Sequence, residues 1–170
     1  MKINLFIGAA ISFLSMPLLA ECNSQMQTTA PTSRYVIQEN VTVVDTSTGL
    51  MWKRCAEGYE WKNNTCEENS EGGALYDWQQ ALVLTADYSF SGHSDWRLPN
   101  INELASIADF SCVNSAVNSE VFPNTPSVVF WSNTPNRSNT VFAWGVDFKQ
   151  GESKTPYRTD MHRVRLVRDY

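Results

Sequence analysis

Beyond its first twenty residues, the sequence contains no apolar run long enough to cross a bilayer as a helix. It has only two histidines, His93 and His162, and no C-x-x-C pair. A structural zinc site needs closely spaced ligand pairs, so we predict no zinc, and no other metal or cofactor. The G-x-S-x-G, P-loop, H-E-x-x-H and dinucleotide-binding motifs are also absent, so no familiar catalytic motif supports an enzyme.

Residues 1–20 have the composition of a signal peptide. Lys2 precedes a mostly apolar run that ends at Ala20 and is short for a membrane-spanning helix. Cleavage after Ala20 would place Cys22 near the new N-terminus, where lipidation is the alternative. Glu21 disfavours lipidation because a small residue normally precedes the modified cysteine. We therefore expect an exported protein, periplasmic or extracellular, with no transmembrane segment in the mature chain.

The mature chain, of about 150 residues, is the right size for one domain with its own core. Residues 21–33 are polar and contain Pro31, which predicts an extended N-terminal arm. The domain itself is predicted to cover residues 34–170. No low-complexity tract or internal repeat interrupts it.

Charge is distributed unevenly along the mature chain, which has 12 basic and 18 acidic side chains and a net charge of −6. Residues 21–130 hold 5 basic and 14 acidic side chains, whereas residues 131–170 hold 7 basic and 4 acidic ones. A basic C-terminal segment favours binding to an anionic glycan; alternatively, its side chains pair with the acidic body or face solvent. No nucleic-acid partner is predicted. The candidate ligand-binding residues here are Lys149, Lys154, Arg158, Arg163 and Arg165.

The mature chain contains four cysteines, and an exported protein with an even number usually oxidises them. Three connectivities are possible. Cys55 and Cys66 flank a polar loop whose Gly58 and Asn63-Asn64 can reverse the chain, so this pair is the favoured local disulfide. Cys22 and Cys112 would then form the second bridge by elimination.

Hydrophobic periodicity predicts strands at both ends of the domain and two helices between them. The helices are amphipathic and begin at Asp77 and Asn100, and the second extends to about Phe110. Asn100 and Glu103 have the spacing of a capping box, and Pro99 ends the preceding extended segment. The predicted strands are residues 35–37, 41–44, 50–53, 128–131, 142–148 and 163–168. This order predicts an α+β domain whose N- and C-terminal strands pair.

Several motifs together resemble the bacterial Lcl C-terminal domain family, long catalogued as a domain of unknown function. The resemblance covers about Arg34 to Arg168, nearly the whole mature chain. Membership implies an exported domain, and the group that gives the family its name is attached to collagen-like adhesins that bind host glycosaminoglycans. The motifs are Val44 to Trp52, Ser94 to Asn100 with Glu103 and Leu104, Phe130 to Ser132, and Val164 to Arg168.

The arrangement is also similar to C-type-lectin-like and formylglycine-enzyme-like folds. That similarity implies two helices packed on a twisted, mainly antiparallel sheet, here stapled by disulfides. The Glu-Pro-Asn, Gln-Pro-Asp and Trp-Asn-Asp motifs of calcium-dependent lectins are absent, so calcium-mediated sugar binding is not implied. The collagen-like region is absent too, and the chain resembles the isolated globular module.

Aromatic residues divide into two groups. Tyr59 and Trp61 lie in the polar loop between two cysteines, where they are candidates for stacking on a sugar ring or a partner, or for covering a small cluster beneath the loop. Four other tryptophans lie beside apolar residues and are predicted to be core. These are Trp52, Trp96, Trp131 and Trp144.

Three residues are predicted to shape the backbone. The Arg97 guanidinium, before Leu98-Pro99, is expected to bind several carbonyls of a bend through its planar set of donors. Asp45 and Gly49 are typical of a turn: a carboxylate that accepts from backbone amides and a residue free to adopt positive φ.

These observations favour an exported, non-catalytic module, such as an adhesion protein, that recognises carbohydrate or a polyanionic glycan. A structural or protein-partner module, with exposed aromatics making the contact, is the alternative. A third hypothesis is an enzyme with a formylglycine-enzyme-like fold, using His93 of His93-Ser94-Asp95 or His162 beside Asp160. No oligomeric state is predicted.

Overall fold

The computed structural model of the chain describes residues 21–70 and 72–170. The predicted signal peptide therefore lies outside the described residues. No helix in the described ranges is both long enough and apolar enough to span a membrane. The helices are α1 (Trp78–Val83) and α2 (Ile101–Ser106), and a short 3₁₀ turn covers Thr32–Arg34. The strands are β1 (Glu21–Cys22), β2 (Tyr35–Gln38), β3 (Thr42–Asp45), β4 (Leu50–Lys53), β5 (Tyr59–Lys62), β6 (Thr65–Glu68), β7 (Cys112–Val113), β8 (Val129–Pro135), β9 (Ala143–Asp147), β10 (Glu152–Lys154) and β11 (Val167–Asp169).

Two antiparallel sheets form the body of the domain. The larger has the order β11-β4-β3-β2, and the second has the order β10-β9-β8. Val167 of β11 lies opposite Trp52 of β4, which confirms the predicted pairing of the N- and C-terminal strands. The structure agrees with the predicted α+β class, although strands dominate it.

Both helices begin where the sequence predicts. Asp77 accepts from the Gln80 amide and Asn100 accepts from the Glu103 amide, and each N3 side chain returns a bond to its cap. These capping boxes satisfy backbone donors that a helix start leaves free. The predicted end of the second helix near Phe110 is wrong, because α2 stops at Ser106 and Ala108 then pairs with Val117 in a β-bridge.

The core consists of two hydrophobic clusters. Trp52 and Trp131 have no exposed surface and Trp96 is 2 % exposed, as predicted, whereas Trp144 is only half-buried. α2 packs against β8 and β9, and α1 packs against β8. The two short helices therefore cover the second sheet.

Both predicted disulfides are present. Cys22–Cys112 joins β1 to β7, and Cys55–Cys66 joins the chain before β5 to β6 within the β5–β6 hairpin. The N-terminal arm is held further by Thr28, whose hydroxyl donates to Asp109, and by Thr29, whose hydroxyl donates to the Ala108 carbonyl at 2.9 Å. The bridge and these bonds fix an otherwise exposed arm to the turn after α2.

The C-terminal strand differs from its prediction. The alternation of residues predicts a strand over 163–168, but β11 begins only at Val167, and residues 164–167 are all buried. The backbone here lies between the two sheets: Trp131 donates to the Arg163 carbonyl, and Lys53 donates to the Leu166 carbonyl. Both faces of the segment are therefore covered, so burial does not alternate from one residue to the next.

Candidate binding site

The distinctive stretch from Trp96 to Glu103 forms a structural joint. The Trp96 indole donates to the Phe90 carbonyl at 2.9 Å, and the Asn133 amide donates to the Leu98 carbonyl at 3.2 Å. Pro99 is buried immediately before the α2 cap, and its carbonyl accepts from the Asn133 backbone. The joint connects α2 to β8, and the protein itself provides the partners of these polar groups.

Arg97 does not bind carbonyls as predicted. Its guanidinium instead contacts both oxygens of Glu103, at 2.8 and 2.9 Å, and Asp169 at 2.8 Å. The reason is the β-bridge between Arg97 and Val167, which places the neighbouring β11 carboxylate within reach. Burial raises the pKa of Glu103, but hydrogen bonds from Arg97 and the Asn100 amide outweigh burial and hold it below its usual value.

The predicted turn at Asp45 and Gly49 is present. Gly49 has a φ of 68°, and the Asp45 carboxylate accepts from the Ser47 amide at 3.0 Å. Asp45 is also fully buried and forms an ion pair with Arg34. The carboxylate thus joins the turn to the start of β2, in addition to its predicted local role.

Three of the predicted basic ligand-binding residues reach the surface in different settings. Lys149 is exposed in the turn after β9, and Lys154 of β10 is exposed and paired with Glu152 at 2.6 Å. Arg158 is half-buried: its guanidinium lies 4.2 Å from the Trp78 ring centroid and donates to the Phe142 carbonyl at 3.1 Å. Two of the three therefore already have partners within the protein.

Arg163 contacts the hairpin that contains Tyr59. Its guanidinium donates to the Ala74 carbonyl at 3.2 Å, lies 3.7 Å from Glu68, and is 5.4 Å from the Tyr59 ring centroid. Arg163 is thus the one residue of the predicted basic set that contacts the predicted aromatic pair.

Arg165 requires a correction, because it has no exposed surface at all and cannot contact a ligand at the surface. Its guanidinium donates to the carbonyls of Lys53 and Arg54 and to the Thr125 hydroxyl, and it lies 4.8 Å from the Phe122 ring centroid. Complete burial lowers the pKa of Arg165. Its role is to anchor the chain that leads into the hairpin.

The β5–β6 hairpin places Tyr59 and Trp61 on one side of a two-stranded ribbon. The Tyr59 hydroxyl donates to Glu68 at 2.7 Å; burial and this hydrogen bond raise the pKa of Tyr59 to about 12. The Arg54 guanidinium lies 4.2 Å from the Trp61 ring centroid. Both rings are partly exposed and border cavities, so the prediction that they contact a ligand stays open.

A cavity of about 750 Å³, here called the outer groove, lies between the hairpin and residues 114–127. The hairpin contributes Tyr59, Glu67 and Glu68, and the facing wall includes Asn114, Ser115 and Asn124. The Asn124 amide donates to the Cys66 carbonyl at 2.9 Å, which ties the two walls together. Ser115 Oγ is buried and has no hydrogen-bond partner in the described part of the chain. The groove therefore offers polar groups of the kind that bind hydroxyl-rich ligands.

A second cavity of about 350 Å³, here called the inner pocket, lies on another side of the hairpin. Its charged lining residues are Lys53, Glu57 and Glu60. The Lys53 and Glu57 side chains are only 7 % and 9 % exposed, and their Nζ and Oε1 atoms are 2.5 Å apart. The Tyr88 hydroxyl contacts Lys53 Nζ and lies 3.2 Å from both Glu57 oxygens. Burial lowers the pKa of Lys53, and the Glu57 carboxylate opposes that effect. Trp61 and Phe90 provide aromatic surface in the same pocket.

The two histidines lie apart from the grooves of the hairpin. His93 borders a cavity of about 220 Å³ with Glu39 and Ser91. His162 packs edge-on against Trp131, with ring centroids 4.8 Å apart, and burial lowers its pKa. His162 Nε2 is buried without a hydrogen-bond partner among the described residues. These contacts are typical of a packed ring.

The cluster of Lys53, Glu57 and Tyr88 is absent from the sequence-based predictions. The one sequence feature that could have indicated the cluster is the four-residue spacing of Lys53 and Glu57. In a strand followed by a turn, that spacing does not predict contact between the two side chains. Tyr88 joins them from 31 residues beyond Glu57, after α1. Only the fold shows that the three polar groups meet.

The comparisons with known proteins agree with the motifs of the sequence. No curated protein matches this chain. The model of the Lcl C-terminal domain matches residues 41–168, which include β3, β4, the hairpin, both helices and most of β11. The matched region therefore contains the joint, the outer groove and the inner pocket. With three quarters of its length matched, the chain belongs to the Lcl C-terminal domain family.

Proposed function

We propose that this chain is an exported, non-catalytic binding module that recognises carbohydrate in the outer groove. The observation that supports it is the groove itself: a polar cleft of about 750 Å³ with the Tyr59 ring at one wall and amide, hydroxyl and carboxylate groups around it. Sugars present hydroxyls that need such partners and carbon faces that pack on aromatic rings. The cleft lies within the size range of small-molecule sites.

Export is supported by the two disulfides and by the signal-like composition of residues 1–20. Disulfides persist in oxidising compartments, such as the periplasm and the cell exterior. The proposed C-type-lectin-like arrangement is consistent with two helices packed on antiparallel sheet.

A neutral glycan fits the groove better than a polyanionic one. Glu67 and Glu68 are in its lining, and like charges repel an anionic ligand. Arg163 is near one of them, but it is half-buried and already has partners. The fully buried Arg165 no longer contributes to a basic surface.

The test is a glycan array screened with the purified protein, with and without calcium, together with heparin binding at graded salt. We expect retention of neutral glycans that salt changes little, since charge contributes little to that contact. Tyr59→Phe removes the donor of the 2.7 Å hydrogen bond at the groove wall, and Glu68→Gln replaces its charged acceptor by a weaker neutral one, so each should weaken the binding of neutral glycans. Tyr157→Ala, an exposed residue outside the groove, is the matched control. No binding on the array would refute the proposal, and salt-sensitive heparin binding alone would favour the polyanionic version.

A protein-partner function is the second candidate, and one surface favours it. Phe142 and Tyr157 stack with centroids 4.6 Å apart, and Tyr157 and Val141 are each more than half exposed. Exposed aromatic clusters of this kind occur at protein interfaces. If this surface binds a cell-envelope protein, Tyr157→Ala will reduce cross-linking to that protein, while Lys149→Ala and Lys154→Ala will not.

A further inference from the structure

The inner pocket has a feature that the outer groove lacks, a buried ion pair at a cavity wall. Lys53 and Glu57 side chains are more than nine-tenths buried, and the pocket next to them has a volume of about 350 Å³. Burying charges is costly unless their hydrogen-bonding capacity is used. The unused capacity of this pair therefore indicates what the pocket can bind.

The ammonium of Lys53 has three donors, and two acceptors are in contact with it: Glu57 Oε1 and the Tyr88 hydroxyl. The Glu57 carboxylate has about four positions that can accept a hydrogen bond. Lys53 Nζ occupies one of them and the single hydroxyl proton of Tyr88 occupies another. Within the described residues, one donor and about two acceptor positions are left over. A ligand that fills them must both accept and donate.

The charges of the inner pocket further limit the classes of ligand that it can bind. The ion pair is neutral as a whole, so neither a strong anion nor a strong cation gains from it without an opposing contact. Glu60 in the same lining adds negative charge against an anion. The aromatic faces already hold cations of the protein, since Lys53 Nζ is 4.4 Å from the Phe90 centroid and Arg54 stacks on Trp61. An amine ligand at these rings would therefore be repelled by Lys53 and Arg54, whereas a neutral ligand would not.

We propose that the inner pocket is a second binding site, for a single neutral sugar residue. One hydroxyl of a vicinal diol donates to the Glu57 carboxylate, and the neighbouring oxygen accepts from Lys53 Nζ. Tyr88 orients the carboxylate through its own hydrogen bond, and the apolar part of the ring contacts the aromatic lining formed by Trp61 and Phe90. The site does not depend on ligand binding in the outer groove.

The experiment measures the affinity of the full protein for free glucose, galactose, N-acetylglucosamine and glucuronic acid by NMR titration. We expect at least one neutral sugar to bind with a dissociation constant of about 1 mM, and the uronic acid at least about tenfold more weakly. Glu57→Gln should weaken the neutral sugar by at least about tenfold, because it removes the buried charged acceptor. Tyr88→Phe, which keeps the ring, should weaken it severalfold and provides the test if Glu57→Gln does not fold.

Tyr157→Phe is the matched control and should leave the sugar affinity unchanged, because it lies in neither cavity. Glu68→Gln distinguishes the two sites, since Glu68 lines the outer groove and not the inner pocket. The inner-pocket proposal is overturned if no neutral sugar binds at about 100 mM, a hundred times the expected constant. It is also overturned if Glu68→Gln abolishes binding while Glu57→Gln and Tyr88→Phe do not, an outcome that would leave the outer-groove proposal standing.

Discussion

The joint at residues 96–104 and the hairpin region at residues 53–68 use similar side chains in opposite ways. Both combine a tryptophan, an arginine and a carboxylate. In the joint, Trp96 bonds to the Phe90 carbonyl and Arg97 bonds to two carboxylates. In the hairpin region, Trp61 stacks under Arg54 at the border of a cavity, and Glu57 keeps free acceptor positions.

The difference separates a structural motif from a candidate site. Polar groups that are fully partnered inside the protein stabilise one geometry and have little left for a ligand. Polar groups that are buried beside an open cavity retain hydrogen-bonding capacity, and a ligand can use it. The most recognisable stretch of the sequence therefore identifies the family, while the less distinctive stretch contains the cavities.

The largest expected effect comes from Arg165→Met, which removes the anchor of the hairpin region. The carbonyls of Lys53 and Arg54 would lose their buried donor, and we expect the free energy of unfolding to fall by about 3–5 kcal/mol. Chemical denaturation measures this. Arg137→Met, at an exposed loop position, is the control and should change little. A loss below about 1 kcal/mol for Arg165→Met would show that water replaces the guanidinium.

Glu103→Ala tests the joint and should lower the free energy of unfolding by about 2 kcal/mol. It removes the bidentate contact with Arg97 and one half of the α2 capping box. Sugar binding should stay at the wild-type level, because Glu103 lines neither cavity. If the folded variant loses affinity for sugar, the distinction between a structural joint and a binding hairpin region is wrong. Thermal unfolding and sugar titration on the same sample decide between the two results.

The pH dependence of the joint is a smaller effect, of about 1 kcal/mol for a partly exposed pair. The folded-state pKa of Glu103 is below its unfolded value of 4.5, so its contribution to stability is present above that value. The contribution disappears as the pH falls through the folded-state pKa. The stability difference between wild type and Glu103→Gln should thus be largest near pH 7 and vanish in acid. A difference that does not change with pH would contradict the ionic contact.

Lys154→Ala should have the smallest effect and leave the free energy of unfolding nearly unchanged, because both side chains of its ion pair with Glu152 are exposed. Binding of neutral glycans should not change either. A clear loss of glycan binding in this variant would shift the site away from the hairpin towards β10. The array with wild-type and variant protein checks this directly.

The sequence was sufficient for local features of the fold. Asp77 and Asn100 cap their helices because a capping box depends on residues three apart, and the cystine pairing followed from a short polar loop. Arg165 was misplaced because it belongs to the basic C-terminal segment, whose side chains were predicted to reach a ligand at the surface. Both sheets cover the segment that contains Arg165, and no local pattern in the sequence shows that coverage.

The candidate site could be predicted only in part. Tyr59 and Trp61 stood out because aromatics in a polar loop are unusual, and both border cavities. The Lys53–Glu57–Tyr88 cluster could not be found, since α1 intervenes between its members. Lys149, Lys154, Arg158 and Arg163 are close in sequence, yet their contacts lie in different parts of the fold.

Residues 164–167 have a consequence for the order of folding. They lie between the two sheets, fill the core and hold the chain that leads into the hairpin, yet they are among the last residues of the domain to be synthesised. Contacts between distant parts of a chain form late, because the intervening loop must close first. The core can therefore close only after nearly the whole domain has emerged. Such a delay suits the proposed export, because a chain without a closed core can pass through a channel unfolded.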